Sequence, residues 1–183
     1  FIPETALAVV TVHPGKLLEK GKLQQLDFVK DAASETIFTQ RILKDPASSG
    51  IDFDNYSAFF VFGRDPNYGC VIMPVDDKEK FESLLSDIEN EVDEKMDRKK
   101  LGDYEMISEN GNILVYDNTI AMILFTMDGY GDDEIELVAE NLLNLEKEQG
   151  ILSDKDFNNF LGKQKDINAW FTSTNLNSIP GSG

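Results

Sequence analysis

His13 and Cys70 are the single histidine and single cysteine of the chain, and so the two side chains suited to imidazole and thiolate chemistry. A Cys–His nucleophile needs its base within about 3 Å of the sulfur. Cys70 stands in the run Gly69-Cys70-Val71-Ile72-Met73, where a small buried hydrophobe is the ordinary role. His13 precedes Pro14 at the end of an apolar run and reads as an exposed turn residue. No catalytic residue is therefore assigned. One of each type also excludes a disulfide framework and a zinc site built from several Cys or His.

Oxygen chemistry is more plentiful. The segment Asp128-Gly129-Tyr130-Gly131-Asp132-Asp133-Glu134 sets hard oxygens beside glycines, and Asp128, Asp132 and Asp133 are the candidate calcium ligands. The segment departs from the EF-hand loop, because the twelfth position counted from Asp128 is Ala139 rather than Glu. Its carboxylates serve equally well at the start of a helix, where they cap free amides and meet the positive end of the dipole. Two carboxylates about 5–10 Å apart would suffice for a glycosidase. With 34 acids in 183 residues, some pair meets that spacing by chance. A carboxylate-dependent hydrolase is thus the alternative to a non-enzymatic role. The sequence has no G-x-S-x-G, Walker A or G-x-G-x-x-G, so no nucleophile elbow or phosphate cradle is expected, and no cofactor.

Aromatic rings offer binding chemistry instead. Tyr56, Tyr68, Tyr116 and Tyr130 fall near loops or strand ends, and Tyr68, Tyr116 and Tyr130 are the candidate ligand-stacking residues for a sugar or peptide. Trp170-Phe171 is expected to pack against a neighbouring part of a longer chain. Charge narrows the partners further. Seventeen Lys and Arg against 34 Asp and Glu give a formal net charge of −17, which argues against nucleic acid and anionic lipid. The acids of Glu82–Asp97 are bracketed by Lys78, Lys80, Lys95 and Arg98–Lys100, as on a solvated helix, so mimicry of nucleic acid is not favoured.

These residues must be positioned by a folded core, for which 41% hydrophobic content is adequate. Ala6–Val12 reads as a strand buried on both faces and stopped by Pro14-Gly15. Leu17, Leu18, Leu23, Leu26, Phe28 and Val29 have helical spacing interrupted near Gly21, and Thr36–Lys44 predicts a second short helix ended by Asp45-Pro46. Ser57–Gly63 and Tyr68–Val75 predict a hairpin. Lys78–Arg98 predicts the longest helix, capped by Asp76-Asp77, with Phe81, Leu84, Leu85, Ile88, Val92 and Met96 on its apolar stripe. Tyr104–Glu109 and Ile113–Tyr116 flank the turn pair Asn110-Gly111, and Asp117-Asn118 leads into Thr119–Thr126. Asp133–Glu148 predicts a helix closed by Gly150, and Ser153 with Asp156 opens a last helix carrying Phe157, Phe160 and Leu161.

The order β, α, α, β, β, α, β, β, β, α, α predicts an α+β fold. Its mostly antiparallel sheet would carry helices on one face, in ferredoxin-like βαββαβ order with an extra hairpin. Residues 1–175 read as a single α+β domain, the N-terminal part of a longer protein, and 176–183 as a linker-like end. The chain begins at Phe1 without Met, which reads as a processed mature chain or one whose targeting segment has been removed. No apolar run approaches 18 residues, so no transmembrane helix is expected.

The opening Ile2-Pro3-Glu4-Thr5-Ala6-Leu7-Ala8-Val9-Val10, followed by His13-Pro14-Gly15-Lys16-Leu17-Leu18-Glu19-Lys20-Gly21, resembles an uncharacterised family of envelope lipoproteins from Bacteroides-type bacteria. The resemblance covers about the first 25 residues. It implies a location in the bacterial cell envelope, periplasmic or surface-exposed, with a lipid anchor upstream of Phe1 as the one link to a membrane. It carries no catalytic motif. A non-enzymatic envelope module that binds a protein or glycan partner is the resulting expectation.

Overall fold

Among the described residues eight strands pair into one sheet: β1 (Ala8–Val12), β2 (Ser57–Gly63), β3 (Asn67–Pro74), β4 (Arg98–Leu101), β5 (Tyr104–Glu109), β6 (Asn112–Tyr116), β7 (Ile120–Thr126) and β8 (Ile167–Phe171). The computed structural model describes residues 1–21, 37–63, 66–109, 111–127, 134–163 and 165–172. The strand order is β4-β5-β6-β7-β3-β2-β1-β8. Every neighbouring pair is antiparallel. Among the described residues there are also five α-helices: α1 (Pro14–Glu19), α2 (Ile37–Lys44), α3 (Lys78–Val92), α4 (Ile135–Leu143) and α5 (Lys155–Leu161).

The α+β class is as expected, but the ferredoxin-like order is not found. That order requires parallel strands joined by a helical crossover. Here β1 pairs directly with β2, and the last strand, β8, adds to the outer side of β1. The helices also cover both faces rather than one. Residues adjacent along a strand separate into two cores: Met106 from Ile107, Val115 from Tyr116, and Met122 from Ala121. The first core packs Val9, Phe60, Cys70 and Leu124 under Ile135 and Ala139 of α4 and Phe157 of α5. The second packs Tyr116 and Ala121 under Ile42 of α2 and Phe81, Leu84 and Leu85 of α3. The cause is the apolar run of β7, Ile120-Ala121-Met122-Ile123-Leu124-Phe125, which exposes apolar side chains on both faces and needs cover on each. In β1, by contrast, Val9 and Thr11 are buried while Ala8, Val10 and Val12 are half-buried, so the strand alternates.

Local chemistry sets the element ends. Asp77 is the N-cap of α3, its Oδ1 accepting from the Lys80 N–H at 3.0 Å. The apolar stripe predicts that α3 runs to Arg98, yet it stops at Val92, where Asp93 adopts the left-handed conformation (φ 54°, ψ 34°). Glu89 explains the stop. Its carboxylate, 7% exposed, accepts from the Met96 N–H at 3.1 Å and from Arg98 at 3.1 Å. These bonds turn the chain into β4 in place of another helical turn. Near the C-terminal end, α4 stops at Leu143 rather than Glu148, and Gly150 (φ −81°) forms a bridge with Pro3 instead of a left-handed cap. The cap of α5 is Asp154, not Ser153; its Oδ1 accepts from the N–H groups of Asp156 at 2.7 Å and Phe157 at 3.2 Å. Leu23, Leu26, Phe28 and Val29 lie outside the described residues, as does the 176–183 segment.

Burial pushes the Glu89 carboxyl up, but the Met96 N–H, Arg98 and Lys95 outweigh it and hold the group below the usual carboxylate range. A folded-state pKa below the unfolded value of about 4.3 gives stability that is complete above that pH and lost as pH falls through the folded value. Glu89→Ala is expected to lower the unfolding free energy at pH 7 by about 2 kcal/mol in urea titration. The gap from wild type should narrow on acidification below pH about 4. A gap that stays constant down to pH about 2 would contradict the network. Gly50 supplies a second test. It has φ +72°, a Cβ there would meet Asp77 O at 2.2 Å, and its carbonyl accepts from the N–H groups of Asp76 and Asp77. Gly50→Ala should cost about 2 kcal/mol or more, with the melting temperature as readout.

Candidate functional site

His13 and Cys70, neither of them assigned to catalysis, stay apart. His13 is buried rather than exposed, and serves as the N-cap of α1: its Nδ1 accepts from the Lys16 N–H at 3.4 Å. Pro14 at the first helical position was the available signal for that role. Cys70 is fully buried in the first core, and burial pushes its thiol far above the ordinary range. The register places Cys70 opposite Phe60, and Phe60 opposite Val9. His13 is therefore two strands from Cys70 laterally and a further four residues along, about 13 Å at strand rise. No Cys–His pair can form.

The stacking residues are also separated. Tyr68 is 7% exposed in the first core, with its ring stacked 5.4 Å from Phe62. Tyr116 is 1% exposed in the second core, edge-on to Phe81 at 5.2 Å, with Lys78 over its ring. The two rings lie on opposite faces and line no common surface; their apolar neighbours along β3 and β6 turned both into core residues. Tyr130, Asp128, Asp132 and Asp133 lie outside the described residues. Among the described residues no group of three or more His, Cys, Asp or Glu is placed to hold a metal ion. The carboxyls with displaced titration there, Asp77, Glu89 and Glu105, are all held below the usual range. None is poised as a general acid.

The surface with the clearest binding chemistry is the outer edge of β8, a strand absent from the sequence-based expectation. The His13 N–H donates to Asp166 O at 2.8 Å and the Thr172 N–H to Leu7 O at 3.2 Å. The β1–β8 register extends this alternation, so Asn168 and Trp170 bond to β1 while the N–H and C=O groups of Ile167, Ala169 and Phe171 point outward. Ile167 is 47% exposed and Phe171 60% exposed, with Ala169 exposed between them. All three side chains lie on the second face.

The two faces of β8 differ: the first is packed and hydrogen-bonded, and the second is exposed. On the first face Trp170 packs edge-on against Phe157 at 5.7 Å and beside Phe160 at 5.5 Å, not against an outside neighbour as expected. Asn168 Nδ2 donates to Thr11 Oγ1 at 3.2 Å and to Lys165 O at 3.1 Å. The Tyr56 hydroxyl donates to the same carbonyl at 3.2 Å, and its ring stands edge-on to His13. Lys20 pairs with Asp166. On the second face an apolar row runs from Phe171 through Ala8, Val61 and Gly69 to Phe125. Phe125 covers Gly69 so closely that a Cβ there would meet its ring at 2.5 Å.

The opposite edge of the sheet differs. In β4, Arg98, Lys99 and Lys100 stand consecutively and pair with Glu89, Glu136 and Glu105. Lysines on an edge oppose pairing with a further strand. The five residues of β8 carry no charge and no proline.

These assignments predict core rather than binding phenotypes for the two placed tyrosines. Tyr116→Ala should cost about 3–5 kcal/mol of stability, and Tyr116→Phe about 1 kcal/mol, in denaturant titration. An unchanged stability for Tyr116→Ala would contradict its placement.

Among the described residues no helix is long and apolar enough to cross a membrane. Comparison with curated proteins and with solved structures finds no match. A family described as a domain of unknown function, DUF4836, matches residues 1–182. The chain, whose described residues form an eight-stranded antiparallel sheet edged by β8, belongs to the DUF4836 family.

Proposed function

We propose that the chain is a non-enzymatic interaction module of the bacterial cell envelope, held there by a lipid anchor upstream of Phe1, and that it engages its partner along β8. The observation that carries this reading is the outer edge of β8, where outward N–H and C=O groups lie beside the exposed side chains of Ile167 and Phe171. Such an edge suits strand addition, in which main-chain hydrogen bonds give affinity and alternate side chains give specificity. It favours a polypeptide over a glycan, because a glycan leaves the regular ladder of amide groups unmatched. The contrast with the lysine-bearing β4 edge supports the same assignment. The location rests on the likeness of Ile2–Gly21 to envelope lipoproteins.

The test uses the full-length protein as bait on solubilised envelopes of its host, with variants of β8 run in parallel. Ala169→Pro removes an outward N–H without touching a bond to β1, a placement that edge strands tolerate. Phe171→Glu puts charge on the exposed face. Both variants should retain the wild-type melting temperature to within a few degrees and lose at least tenfold of the captured partner. Capture unchanged in both folded variants would overturn the β8 assignment. Captured glycan in place of protein would overturn strand addition.

A further inference from the structure

We draw no further inference here: the strongest candidate, the apolar row that crosses the second face from Phe125 over Gly69, Val61 and Ala8 to Phe171, belongs to the surface already described, and nothing in the structure shows what covers it.

Discussion

The pairing of β3 with β7 holds the two halves of the sheet together. Seven residue pairs, from Tyr68 with Thr126 to Pro74 with Ile120, join β8-β1-β2-β3 to β7-β6-β5-β4. At its centre Cys70 faces Leu124 and Ile72 faces Met122; Cys70, Leu124 and Met122 are fully buried. A central strand that is apolar on both faces obliges the rest of the chain to supply two covers. The pair α2 and α3 supplies one, and the pair α4 and α5 the other. Each cover then depends on where its helices begin and end, which is why Asp154, at the start of α5, and Glu89, near the end of α3, matter beyond their own hydrogen bonds.

From that seam the sheet grows outward to two unlike edges. On one side Glu89 ends α3 and also pairs with Arg98, so the residue that closes the helix starts the charged edge strand. On the other side a polar group of Thr11, His13, Tyr56 and Asn168 fastens β8 to β1, while Trp170 anchors it to α5. The strand is thus bonded and packed on its inner side, and its five residues carry no charge. A preordered edge binds an extended segment at a lower conformational cost than a mobile one.

Much of this was legible in the residues. Alternating or continuous apolar runs marked β1–β3 and β5–β7, because burial imposes those patterns directly. The β4 strand was hidden because Met96 continued the stripe of α3; a tertiary contact, the Glu89 carboxylate on the Met96 N–H, outweighed helical spacing. The β8 strand was hidden because Ile167–Phe171 has few β-branched residues and is stabilised by its partner β1 and by Phe157 and Phe160. Pairing order was also out of reach, since periodicity records which face is buried and not which strand lies alongside. The candidate site was missed for the same reason. An edge exists by virtue of its position in the sheet, whereas residue type and nearness to loops or strand ends pointed to Tyr68 and Tyr116.

In β8 alternate residues bond inward to β1 and the others face outward. Residue-resolved amide hydrogen exchange on the free full-length protein tests it most directly. Slow exchange is expected at Asn168 and Trp170, which donate to β1, and fast exchange at Ile167, Ala169 and Phe171, with the contrast repeated along the strand. Equal protection at all five amides would contradict it, because the outer edge of β8 would then already be covered.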